Sequence, residues 1–169
     1  ITAAVDTEKT VAAFEEDPRE QERGSIIKDK NLEEVIRIEI NRPEREITSA
    51  DLSGVTSLKA ADREIERLDG LEYAINLETL MIKHNNVQDI APLQHLQNLS
   101  YLDFSFNRVK DISPLGNLDH LASLHFANNK VSDISLLLEL DSLRAVNLLG
   151  NPLDSRADEI LKRLDEMGV

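Results

Sequence analysis

The 169-residue chain has no cysteine and no tryptophan. Lacking cysteine, it can hold no disulfide, no thiolate nucleophile and no Cys-ligated zinc, and either redox compartment stays open to it. Aromatic residues make up only 4% of the chain, so Leu, Ile and Val must supply the core volume. Cations are also scarce: 19 Lys and Arg stand against 32 Asp and Glu, for a formal charge of -13. That balance opposes a phosphate backbone, because affinity for nucleic acid comes largely from cations that displace condensed counterions. Nucleic acid and anionic membranes are therefore excluded as expected partners. No apolar run approaches the roughly 20 residues of a membrane span, so direct membrane insertion is not expected either. No charged-then-apolar leader is present. A chain opening on Ile1 is expected to be a trimmed or processed form, whose precursor is not judged from a missing leader.

What the sequence does contain is repetition. The stretch "SYLDFSFNRVKDISPLGNLDHL", residues 100–121, can be laid without a gap on "ASLHFANNKVSDISLLLELDSL", residues 122–143. Stepping by 22, one column reads Leu77, Leu99, Leu121, Leu143, the next Leu80, Leu102, Leu124, Val146, and a third Ile82, Phe104, Phe126, Leu148. A polar column, Asn85, Asn107, Asn129, Asn151, follows them. This is the L-x-x-L-x-L-x-x-N-x-L spacing of a leucine-rich repeat, a short strand followed by a helical or 3₁₀ return. Strand side chains alternate between faces, which sends Leu102 and Phe104 inward and Tyr101, Asp103 and Ser105 outward. No coil covers its own core, so the coils must stack as a parallel sheet. A buried Asn where the chain leaves the strand is expected to form a ladder, bonding backbone groups of its own and adjacent coils. In Ser113-Pro114 the serine reads as an N-cap and the proline as a first helical residue, placing a helical turn on the convex side.

The expected architecture is α/β: a right-handed leucine-rich-repeat solenoid with a short parallel sheet on its concave face and helical caps at both ends. Residues 1–25, with Val5, Val11 and Phe14, read as a linker or frayed helix. Residues 26–54 read as a helical N-terminal cap. "DKNLEEVIRIEI" carries Leu32, Val35, Ile36 and Ile40 with Asp29 or Asn31 as cap, and Thr48 and Asp51 have capping-box spacing inside an Ile47–Leu52 staple. Residues 55–153 hold about five coils. The first is degenerate, with Arg63 in place of the ladder Asn. Residues 154–169 read as a capping helix with Ser155 at its start, Ala157, Ile160, Leu161 and Leu164 as its stripe, and Gly168 at its stop.

The unit "LQNLSYLDFSFNRVKDISPLGN", the upstream "NLEEVIRIEINRPEREITSADLSGVTSL" and the closing "GNPLDSRADEILKRLDEMGV" resemble the internalin-type leucine-rich-repeat domains of bacterial surface proteins. The resemblance covers about residues 26–169. It implies a secreted or surface-anchored bacterial protein whose repeats bind other proteins, in some members host-cell receptors.

Little in the residues suggests catalysis. His84, His95, His120 and His125 fall at four different places in the repeat, so stacking does not converge them, and neither catalytic residues, metal nor cofactor is expected. The Asp89, Asp111, Asp133 column admits a calcium reading, but Asp before a helical turn more commonly bonds local N–H groups. The candidate protein-binding row is the outward strand face: Thr79, Met81, Lys83; Tyr101, Asp103, Ser105; Ser123, His125, Ala127; Ala145, Asn147, Leu149; with Phe106 just beyond. Tyr101 and Phe106 are the expected anchors, and a monomer binding a protein ligand the expected state. Five strands about 4.8 Å apart span only roughly 20 Å. The face is then on the order of 400 Å², half the roughly 800 Å² per partner of a standard interface. A rigid spacer, or a cytoplasmic adaptor resembling the 22-residue-repeat phosphatase regulators, is the alternative.

Overall fold

The computed structural model describes residues 25–41 and 45–169. The linker or frayed helix expected at the N-terminus, with Val5, Val11 and Phe14, lies outside the described residues. Five three-residue strands recur every 22 residues: β1 (Ser57–Lys59), β2 (Thr79–Met81), β3 (Tyr101–Asp103), β4 (Ser123–His125) and β5 (Ala145–Asn147). They pair in parallel in chain order. The register has no stagger, so Ser57, Thr79, Tyr101, Ser123 and Ala145 lie in one row. Parallel neighbours require a long crossover. Here the rest of each coil provides it, through 3₁₀ turns at Leu71–Tyr73, Ala91–Leu93, Ser113–Leu115 and Ser135–Glu139. The chain is an α/β leucine-rich-repeat solenoid.

The middle residue of each strand enters the core. Leu58, Leu80, Leu102 and Leu124 are buried, and below them the Phe104 and Phe126 rings stack 5.8 Å apart. Val146 and Leu148 are only partly buried, since among the described residues no strand lies beyond β5 to cover them.

Behind each strand the main chain turns inside the protein, where its polar groups must find partners. Asn107 supplies them. Its Nδ2 donates to Ile82 O and Phe104 O, both at 2.9 Å, and its Oδ1 accepts from Val87 N–H at 2.9 Å. Asn85 does the same for Ala60 O, Ile82 O and Ile65 N–H, and Asn129 for two phenylalanine carbonyls and Val109 N–H. These three are buried, whereas Asn151 in the last coil makes equivalent bonds while partly open. A second ladder, missed in the sequence, precedes the strands: Asn76 Nδ2 donates to Ser53 O, Asn98 Nδ2 to Ile75 O, and His120 Nδ1 lies 2.8 Å from Gln97 O.

The N-terminal end is closed by α1 (Lys30–Glu39) and α2 (Ser49–Ser53). Asp29, not Asn31, caps α1: its Oδ1 accepts from Asn31 N–H and Leu32 N–H, each at 3.0 Å. Its Oδ2 accepts from Glu66 N–H and Arg67 N–H of the first coil at 2.8 and 3.1 Å, so one carboxylate ties cap to repeat. Thr48 and Asp51 form a reciprocal capping box at α2, with Ile47 and Leu52 buried beneath it. Gly70 is required where the strap over the first coil passes, because its φ is +100° and a Cβ there would lie 2.5 Å from Ile26 O.

Two capping expectations and one stripe position need correction. Ser113 is the first residue of its 3₁₀ turn and does not cap it; Asp111 Oδ1 accepts the Ser113 N–H at 2.8 Å. In the closing helix α3 (Ala157–Met167) Ser155 does not cap either, because Asp154 Oδ1 takes the Arg156 N–H at 2.8 Å. The N–H groups a serine cap would serve go instead to main-chain carbonyls, Leu115 N–H to Ile112 O and Ala157 N–H to Asp154 O. Leu161 points away at 36% exposure, leaving Ala157, Ile160 and Leu164 as the buried stripe. Gly168, at φ +84°, ends the helix.

Two outcomes follow from this packing. Asn107→Ala strands buried carbonyls and an N–H, and should lower stability by about 3 kcal/mol; Asn151→Ala should cost less, both read from urea midpoints. At the C-terminal cap, Arg156 pairs with Asp133 at 2.8 Å and Asp154 at 2.7 Å. Bonds from Ser135 and then from Arg156 hold the Asp133 carboxyl at a pKa of about 2, below the ordinary 3.8. A depressed folded-state pKa contributes stability above the unfolded value that is lost as pH falls toward 2. Carboxyl NMR titration should find Asp133 protonating in that window, and Arg156→Ala should move it upward.

Candidate protein-binding face

Along each of β2 to β4 the first and third side chains are half-exposed around a buried leucine. The unstaggered register sets Thr79, Tyr101, Ser123 and Ala145 in one outward column and Met81, Asp103, His125 and Asn147 in the next. Tyr101 and His125 meet across β3 and β4, ring centroids 5.4 Å apart and tilted by 34°. His125 Nε2 lies 2.9 Å from Ser123 Oγ. Burial first, and then the charge of Asp103, raise the Tyr101 pKa, so the phenol stays protonated.

The third outward column is not continuous. Lys83 and Leu149 are exposed, but Ser105 and Ala127 are buried, at 7% and 6% exposure. Ser105 therefore does not belong to the outward row. The strand ends at Asp103 and alternation ends with it: Asp103 Oδ1 accepts the Ser105 N–H at 2.9 Å, and the Ser105 carbonyl accepts from His84 N–H at 2.9 Å. At the far edge Ala145, Asn147 and Leu149 are all exposed, Leu149 at 74%.

Phe106 owes its position to the backbone. The residue before each ladder position is left-handed: Asp62, His84, Phe106 and Asn128 have φ of 55–57°, and Gly150 has 75°. This region suits Gly and Asn and is unfavourable for a bulky side chain. The turn lifts Phe106 out to 47% exposure, where His84 stacks on it with centroids 4.2 Å apart and planes 11° from parallel. His84 had no assigned role in the sequence reading. The signal was there in Gly150 and Asn128, turn-forming residues 22 apart.

The structure brings His84 and His125 to this face and leaves His120 on the second ladder and His95 exposed in a return segment. Asp89, Asp111 and Asp133 each accept the N–H two residues ahead, at 2.8, 2.8 and 2.9 Å, which is the turn role. Among the described residues no group of three or more His, Asp or Glu is arranged to hold a metal ion, and no helix is long and apolar enough to cross a membrane.

The family of leucine-rich repeats in two copies matches residues 75–117. An internalin from Listeria monocytogenes, inlF, superposes with a TM-score of 0.71 at 34% identity over 73% of this chain. This is an internalin-like leucine-rich-repeat domain. It spans 37% of the length of inlF, so about a third of that protein is represented. Internalin C2 of the same species (TM-score 0.60, 24% identity, 78% of this chain and 69% of that one) shares the fold. So does the functional domain of InlJ from that species, which includes a cysteine ladder (0.69, 23%, 74% and 27%). Curated proteins give no match. Leucine-rich-repeat domains are protein-interaction modules with extended concave surfaces, and internalin-type folds are generally non-catalytic.

The strained position of Phe106 can be checked directly. Phe106→Gly relieves the left-handed backbone and Phe106→Ala does not, so the glycine variant should be about 1 kcal/mol more stable than the alanine variant. Thermal or urea unfolding of the pair measures the difference.

Proposed function

We propose that this internalin-like domain is a non-catalytic protein-binding module of a bacterial cell-surface or secreted protein, acting as a monomer without a cofactor. The observation that supports it is the pair of aromatic contacts on the concave side, Tyr101 with His125 and His84 with Phe106, held by a sheet without stagger. Tyr and Phe in accessible positions on a rigid frame are the residue types that anchor interfaces. Thr79, Met81, Lys83, Asp103, Ser123, His125, Asn147 and Leu149 complete the contact row, and a host or cell-surface protein is the ligand expected from the family resemblance. The size of the sheet favours one further reading: a face of about 400 Å² is small for stable binding alone, which suits a spacer that presents a neighbouring domain.

A pull-down from cell-surface and host-membrane extracts separates the two. Wild type should capture a specific partner, and Tyr101→Ala/Phe106→Ala should lose it with an unchanged melting profile. Capture by the folded double variant would overturn the assignment of this face, and no partner at micromolar bait would favour the spacer.

A further inference from the structure

Asp103 is the only carboxylate among the described outward strand positions, and it sits on β3, the central strand. In register beside it are Met81 on β2 and His125 on β4. Tyr101 lies two residues back on the same face. Oδ1 of Asp103 accepts the Ser105 N–H, while Oδ2 has no bonded partner and no cation among the described residues pairs with it. Lys59 and Lys83 are exposed further toward the N-terminal side. A partner that covers Tyr101 also takes Asp103 out of water, and a buried carboxylate is tolerated only when it is paired and hydrogen-bonded.

We propose that the partner presents an arginine to this point, its guanidinium bonded to Asp103 and stacked on the Tyr101 ring. The inference rests on the concave-face reading above and names the chemistry that face selects. Guanidinium suits it better than an ammonium, because it is planar, weakly hydrated and able to stack on an aromatic face while donating to a carboxylate. The thioether of Met81 adds soft apolar surface at the edge. With a net charge of -13, the chain also draws a cationic surface in from a distance. Lys59 and Lys83 repel a second cation and set the register, with the arginine over β3 and β4.

The test titrates the full chain with acetyl-Arg₃-amide and, in parallel, acetyl-Gln₃-amide, following the Asp103 carboxyl and Tyr101 ring NMR signals at low and high salt. The arginine peptide alone should shift both signals, weaken with salt, and bind Asp103→Asn about tenfold less tightly. That variant keeps the oxygen facing the Ser105 N–H and removes only the charge. Asp111→Asn, on the convex side, should bind as wild type does. Shifts centred on Asp89, Asp111 and Asp133, or binding that survives Asp103→Asn, overturn the proposal. With a captured protein partner the two readings part: retention by Asp103→Asn at high salt but loss from Tyr101→Ala/Phe106→Ala sinks the arginine and leaves the face. Retention by both variants sinks both.

Discussion

A side-chain amide buried among main-chain carbonyls leaves no freedom in the length of the segment that returns to it. Each ladder asparagine donates to the strand exit of its own coil and to that of the coil before, and accepts from an N–H in the preceding turn. Adding one residue between two such positions would rotate the amide away from acceptors that no water can replace. The 22-residue period is thus a bonding requirement as well as a packing one. The sheet without stagger, the aligned leucines and the row of outward side chains all depend on it.

Ends of a stacked structure are its weak points, and the two are sealed by different physics. At the N-terminus a single carboxylate, Asp29, accepts four backbone N–H groups and joins helix to coil. At the C-terminus α3 applies an apolar stripe, and Arg156 reaches Asp133 and Asp154 across exposed surface, where ion pairs count for little. The last coil remains the looser one. Val146, Leu148 and Asn151 are partly open where their counterparts are closed.

Most of the architecture was legible because two periods coincide: alternation within a strand and the 22-residue return. Leu102 and Phe104 could be placed inward, and Tyr101 and Asp103 outward, from these alone. The reading failed at Ser105, one pair of residues further, because the strand is only three residues long and alternation has no meaning in the turn. It also passed over the left-handed column, since Phe106 is a bulky residue that rarely adopts that backbone and so conceals it. Capping serines were misplaced for a local reason: Asp111 and Asp154 fix the turn one step earlier, and the N–H groups a serine would cap bond to main-chain carbonyls. The candidate face was therefore readable in its strands and hidden at its rim.

Register without stagger also makes the coil a unit of inheritance. Loss of residues 100–121 would join Leu99 to Ala122 and bring the Asn129 amide to Ile82 O, the carbonyl that Asn107 serves in the intact chain. The strand pairing and the ladder-asparagine bonds at the junction would be remade by equivalent groups. Duplication works the same way in reverse, so genetic events in steps of 66 nucleotides lengthen or shorten the solenoid without disturbing its caps. The outward row then gains or loses one strand at a time, and the breadth of the surface offered to a partner becomes a quantity that recombination can adjust, each coil bringing its own increment of stability with it.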